Sequence, residues 1–258
     1  MLFAQGKRPD AEAVRAFSAE CPFVSISHDN CPITPALRVV SDKADPTVGV
    51  SVSDAADHAW MELLRDGLTF DCTGLAPAAC IQAPNVAHRF DVDPAAELNT
   101  MEAIHLAPGA HLAAGGKTLP VIRGLLAITR DLMQHFEDAV AACWPPSQAA
   151  IGRRFFDSTI SAWLDGGPFP ALGLTAFGDE SDGSLVSVGL SHFIDQEIRI
   201  EPSLASNKLA ATRLGIRLIN QLVLVGGIDQ SERIIGPDGS RLLLHPSRNG
   251  KFVRVSQE

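Results

Sequence analysis

The chain has 258 residues, 46% of them apolar, 20% charged and 6% aromatic, and its 21 glycines and 17 prolines are near ordinary usage. That composition excludes collagen-like and low-complexity disordered classes and leaves a chain long enough to bury a sizeable core. Lys plus Arg number 21 against 30 Asp plus Glu, a net charge of −9, which argues against nucleic-acid binding, since that takes many clustered cations, and suits a basic protein partner or none.

No apolar stretch follows the basic residues of the first ten positions, so no secretory signal is read. No uninterrupted apolar run reaches the roughly 18 residues of a membrane helix. The longest, 119–128 and 214–225, are broken by Arg123 and by Arg217, Asn220 and Gln221. Five scattered cysteines (Cys21, Cys31, Cys72, Cys80, Cys143) make an odd count without a C-x-x-C pair. Reduced thiols in a cytoplasmic protein, with no membrane partner, are the expectation.

In chain order, residues 10–20 follow Pro9 and space Val14 and Phe17 one turn apart, which predicts a short helix. Residues 23–27 read as a strand. Residues 47–53 alternate with Val48, Val50 and Val52 on one face, a half-buried strand. Asp54 can cap a following helix that carries Ala56, Trp60, Leu63 and Leu64 and stops at Gly67. Residues 68–99 read as loops around short strands, and 71–99 hold the one credible boundary in what is otherwise a single domain over 1–258.

The second half is more regular. Residues 101–106 read as a strand and 108–116 as a loop. A long helix starts near Thr118 with Ile122, Leu125, Thr129, Met133 and Phe136 on one face. Ala139–Trp144 reads as a buried strand, set off by the polar break Glu137-Asp138. Ser147, after Pro145-Pro146, can cap a helix whose Phe156, Ile160 and Trp163 form a stripe and which Gly166-Gly167 closes. Residues 171–177, 185–191 and 197–201 read as strands. The strongest helix is 204–225, with Ala211, Leu214, Gly215, Leu218, Leu222 and Val225 at spacings of three and four, ending at Gly226-Gly227. Strands at 233–235, 241–245 and 252–255 follow, joined by Pro237-Asp238-Gly239 and Asn249-Gly250. No repeat of fixed period is visible. Strands occur singly between helices and in runs, so the predicted class is α+β, with mixed or mainly antiparallel sheets and helices packed on them.

The chemistry-bearing motifs are all incomplete. Gly109-Ala-His-Leu-Ala-Ala-Gly-Gly-Lys117-Thr118 follows a strand and opens a helix, the setting of a phosphate-binding loop, but the glycine belongs six residues before the lysine, where His111 stands. Asp179 is the weak candidate for the accompanying magnesium-binding Asp. Glu102-x-x-His105 has the spacing of half a di-iron site, yet a single copy on a strand points its ends to opposite faces. His135-x-Glu137 lacks the P-C-x-x-C half of a deaminase zinc site. The neighbours His28 and Asp29 suit a turn as well as a metal. Gly189-Leu-Ser191-His192-Phe193 begins like a nucleophile elbow without the last glycine. Cys143 lies in an apolar run that implies inert burial. There is no tyrosine and no G-x-G-x-x-G. No metal and no cofactor are expected.

One anion site is nevertheless worth placing. Ser147 and Gln148 join a strand to a helix, where unpaired N–H groups favour anions, and Arg153 and Arg154 fall in its first two turns. His192 and Glu197 follow a neighbouring strand and complete the candidate. The bland reading has Trp144 as a core aromatic, Ser147 as a cap, and the arginines solvated or paired with Asp157.

From about Glu102 to His245 the order of features resembles the bacterial family called domain of unknown function 4261. The residues behind the resemblance are Ala139–Trp144 running into Pro145-Pro146-Ser147, then residues 171–177, then Val188-Gly189-Leu190-Ser191-His192-Phe193 with Gln196-Glu197-Ile198-Arg199-Ile200, and the helix ending at Gly226. His192-Phe193-Ile194 departs from it, where a glycine after the aromatic is expected. The resemblance implies a bacterial α+β protein and supplies no activity. The expectation is therefore a non-enzymatic binding or interaction domain with an acidic surface, its partner a basic protein or a small anion. The alternative is an enzyme acting on a small anionic substrate. A deep pocket where His, Arg and carboxylate groups converge would separate the two.

Overall fold

A computed structural model describes residues 1–31 and 59–258. The expected strand at 47–53 and the Asp54 cap lie outside the described residues.

Strand β1 (Leu2–Phe3) leads to helix α1 (Ala11–Glu20), which starts where the Asp10 carboxylate accepts a hydrogen bond from the Ala13 N–H at 2.8 Å. Val14 and Phe17 are its buried face. Strand β2 is Ser25–Asp29, two residues later than expected, and Phe23 stays 66% exposed outside it. The helix expected around Trp60, Leu63 and Leu64 is instead strand β3 (Trp60–Arg65), paired with β4 (Leu68–Thr73). Asp66 and Gly67 form the two-residue turn with φ of 51° and 78°, and positive φ at both positions matches the twist of a tight hairpin. Met61, Leu63, Phe70 and Cys72 then share one buried face at the period of a strand.

The stretch at 101–106 divides between two sheets. Strand β6 (Glu102–Ala103) pairs with β1, and β7 (His105–Pro108) pairs with β4, with buried Ile104 at the crossing. Between β4 and β6 lie strand β5 (His88–Phe90) and a short helical turn at Leu98–Thr100. Helix α2 (Leu119–His135) and strand β8 (Ala139–Trp144) lie as their patterns predict. Ser147 does not cap a helix. The chain turns at Pro145–Ser147, extends as β9 (Ala149–Gly152) between β8 and β5, and only then enters helix α3 (Arg153–Leu164). Glycine at 152 is required there, because a Cβ would sit 1.9 Å from the Asp91 carbonyl oxygen.

In the expected strand at 171–177, Ala171–Leu174 is a helical turn broken by Leu172 and by Gly173 at φ 102°, so the strand β10 is Ala176–Asp179. β12 (Glu197–Ile200), β13 (Glu232–Ile235), β14 (Arg241–Pro246) and β15 (Phe252–Gln257) follow the sequence reading closely. The strand expected at 185–191 ends as β11 (Leu185–Val188) before a helical turn at Ser191–Ile194. The helix expected from 204 begins as α4 (Lys208–Val225) after a separate turn at Pro202–Ala205, and Val225 of the expected stripe is 62% exposed. Asn207 caps α4 through Ala210, and Gly226 closes it at φ 81°.

The described strands form three sheets, ordered β5-β9-β8-β1-β6, β2-β3-β4-β7 and β10-β11-β12-β15-β14-β13. Only β5–β9 and β12–β15 pair parallel among their neighbours, so the fold is α+β with mixed, mainly antiparallel sheets. Strands β1 and β9 both pair with β8. Helix α2 lies on β4 and β7 and against α3, and α4 lies on β11 and β12. One apolar cluster runs from Met1 to Val255 through all of these layers, and none of the five cysteines is in a disulfide. An ion group crosses the first layer: Arg65 of β3 donates to Asp131 of α2, which also accepts from Arg130 at 2.8 Å.

Candidate functional site

Strand β8 runs on past its Leu2↔Ala141 pair with β1, so Ala142, Cys143 and Trp144 continue where β1 does not accompany them. The space beside them is closed by Ile104–Leu106, by the Leu125–Thr129 face of α2 and by the segment around Ile81 and Gln82, leaving a cavity of about 290 Å³. Gln82, His105 and Pro145 are its exposed members, while Leu126, Ala142 and Phe156 are buried in its wall. Among the described residues that line it there is no Lys, Arg, Asp or Glu, but Met1 is one of them, and its buried N-terminal ammonium donates to the Ile104 carbonyl at 2.8 Å.

Its few polar groups differ in what they have left to offer. The Thr129 hydroxyl donates to the Leu125 carbonyl at 2.7 Å and is spent within α2. Burial pushes the Cys143 thiol up, away from thiolate chemistry. Partial burial of the ring, with the Met1 ammonium adding to it, holds His105 below the usual histidine range, so the imidazole is neutral at pH 7. The indole N–H of Trp144 is buried and has no hydrogen-bond partner. Such donors in protein interiors are nearly always satisfied. The Trp144 ring packs on aromatic neighbours, with the His192 ring edge-on at 5.4 Å and the Phe193 ring nearly parallel at 6.2 Å.

The six residues of the expected anion site are placed as follows. Ser147 is fully buried and donates to the Gly173 carbonyl at 2.7 Å. Gln148 takes a left-handed conformation, and its carbonyl accepts from the N–H groups of Ala87 and His88. Arg153 turns back to the end of α2 and donates to the carbonyls of Phe136 and Gln134 at 2.9 and 3.1 Å. The Arg154 side chain is 90% exposed, with Asp91 at 3.8 Å. Asp157 accepts from Gln134, so it pairs with neither arginine. His192 packs on Trp144, and burial, with Lys117 adding to it, holds its imidazole low.

Glu197 is itself the anion of a small nest. Its carboxylate accepts from the N–H groups of Gly189 at 3.0 Å, Leu190 at 3.2 Å and Ser191 at 2.9 Å, and from the Ser187 hydroxyl at 2.5 Å. Gly189, at φ 92°, lies so close to Pro146 and Ser147 that a Cβ would meet their backbone at 2.9 Å. The fold thus gathers Ser147, His192 and Glu197 around the end of β8, behind the cavity wall. Arg153 points to the α2 terminus and Arg154 to solvent.

The glycine-rich stretch before α2 spends its donors internally: Gly109 N–H on Thr69, Leu112 N–H on Gly109, and Thr118 N–H and hydroxyl on Gly115. Glu102 faces Arg8 at 3.8 Å, Asp29 binds Arg15 at 2.8 Å, and His135 lies 3.5 Å from Glu20. Among the described residues no three His, Cys, Asp or Glu side chains converge on a metal-sized point.

Sequence reading weighed His105 only as half of a di-iron spacing and Trp144 only as a core aromatic beside the anion site, and it did not mark Ala142. The one available signal was Trp144 at the end of a small-residue strand, where alanines leave room for a neighbouring cavity. Scans against family models, curated proteins and solved structures match nothing.

Proposed function

We propose that the chain is a non-enzymatic α+β binding domain that holds a small, mainly apolar molecule in the cavity beside β8. The observation that carries this reading is the cavity itself, about 290 Å³ in volume and walled mainly by apolar side chains of α2, β8 and Ile104–Leu106, with the Met1 ammonium, already bonded to the Ile104 carbonyl, the one charged group in its described lining. Cavities of this size and character are ordinary ligand sites, in which apolar walls supply affinity and a few polar groups fix orientation. An enzyme acting on an anionic substrate needs cationic and acid–base groups converging in the pocket. Here the cationic Arg153 is committed to backbone carbonyls, and the Glu197 carboxylate to its nest.

Indane, a compact apolar probe, tests the reading. It should raise the Tm of the full chain in proportion to occupancy, since a ligand that binds only the folded state stabilises it by mass action. Ala142→Leu, which fills the cavity from β8, should abolish the shift while the variant stays folded. No shift with the native chain, or an equal shift with the filled variant, would overturn the reading.

A further inference from the structure

A second cleft, of about 330 Å³, opens between α4 and the turn from β13 to β14, and it shares no lining residue with the cavity beside β8. Its floor is apolar, built from Leu204 in the turn before α4, Ala211 and Leu214 of α4 and Leu242 of β14. At its rim stand one cation, Arg213, and one anion, Asp238, both exposed to solvent. We infer that this cleft binds a free α-amino acid with a large apolar side chain, its carboxylate on Arg213, its ammonium on Asp238 and its side chain on the leucine floor.

Both rim charges are uncommitted. Among the described residues no acid pairs with Arg213, and none pairs with Arg217, one turn further along α4. Two arginines at i and i+4 repel each other, and a carboxylate on Arg213 offsets that repulsion. Lys208 of the same helix differs, because Asp179 pairs with it. Across the cleft, Asp238 spends Oδ1 on the Ser240 N–H at 3.0 Å and the Ser240 hydroxyl at 2.6 Å, and its Oδ2 has no partner among the described residues. Those bonds from Ser240 hold the Asp238 carboxyl below its usual range, so it is ionised at pH 7. Arg213 and Asp238 thus line one cleft without pairing with each other. A ligand of single charge would serve one of them and meet the other as a like charge or not at all. An α-amino acid carries both countercharges on one carbon, and its apolar side chain is left to cover the leucines. The volume is about twice the ~150 Å³ of an engineered apolar cavity that binds benzene, which gives room for a ring and the charged head.

The test compares L-phenylalanine with L-phenylalaninamide, which lacks the carboxylate, and with N-acetyl-L-phenylalanine, which lacks the ammonium. Each is titrated into the full ¹⁵N-labelled chain, and the amide signals of Ala211 and Ser240 report the two walls of the cleft. Phenylalanine should move both signals and bind at least about fivefold more tightly than either analogue, the scale of a hydrogen-bonded charge pair. Arg213→Gln should remove its advantage over the amide, and Asp238→Asn, which keeps the Oδ1 acceptor for Ser240, its advantage over the N-acetyl compound. Glycine, with both charges and no apolar body, should move neither signal. Equal binding of the three phenylalanine compounds, or an advantage that survives both substitutions, would overturn the zwitterion. Equal binding of glycine would overturn the apolar side chain, and unmoved signals with phenylalanine would overturn the site.

Discussion

At Glu197 one carboxylate closes four hydrogen bonds, to the Ser187 hydroxyl and to three successive N–H groups at 189–191. Ser187 in turn accepts from the Ile198 N–H at 2.7 Å, so strand β12 is tied to the turn after β11 through two side chains. Glu197→Ala strands donors that the fold turns inward, and it should cost about 1.5–3 kcal/mol in urea melts, the range of hydrogen bonds to a charged group. A change under about 0.5 kcal/mol, the usual range for surface substitutions, would contradict this account of the nest. Three histidines set a pH dependence of known sign. His88, His105 and His192 all lie below the usual range because burial disfavours the imidazolium, with Lys117 adding to this at His192. The unfolded chain then takes up protons first as pH falls through the ordinary histidine value near 6.5, so stability is lost from about pH 7 downward. Urea midpoints should be lower at pH 5.5 than at pH 7.5, and substituting all three by Gln should reduce that difference. An unchanged difference would assign it to other groups.

At the scale of elements, the long helices were legible because their periodicity spans many turns. In α4, residues 211, 214, 215, 218 and 222 are the buried stripe, and Gly215 lets Phe177 approach to where a Cβ would be 2.5 Å from the ring. Leu218 is 1% exposed, so Leu218→Ala should cost about 2–5 kcal/mol in urea melts, and under about 0.5 kcal/mol would remove α4 from the core. Elements of four to six residues were harder. Trp60, Leu63 and Leu64 fit a helical stripe, but Met61, Leu63, Phe70 and Cys72 fit a hairpin around Asp66-Gly67, and a two-residue turn with positive φ decides for the hairpin. Ser147 after two prolines has the chemistry of a cap. Tertiary pairing overrides it, because residues 149–152 complete the sheet between β8 and β5 before α3 can begin. The division of 101–106 between two sheets has no local signal, since Ile104 is as apolar as any strand interior.

At the scale of the whole chain, the class was readable and the arrangement was not. Runs of strands mixed with helices point to α+β, but the three-sheet division rests on pairings far apart in sequence, such as β1 with β8 and β12 with β15. The anion site was read from the local chemistry of a helix start, which the fold moves to Gly152. The cavity was invisible for the same reason: its walls come from Ile81–Gln82, Ile104–Leu106, α2 and β8, segments brought together only by folding. No described helix is long and apolar enough to cross a membrane. The most direct measurement is a crystal structure of the full chain soaked with 5-bromo-1-indanone, located by the anomalous signal of bromine. The account predicts one dominant bromine peak between α2 and β8. Bromine found only outside this cavity, with Leu126, Ala142 and Phe156 packed together across it, would contradict the account.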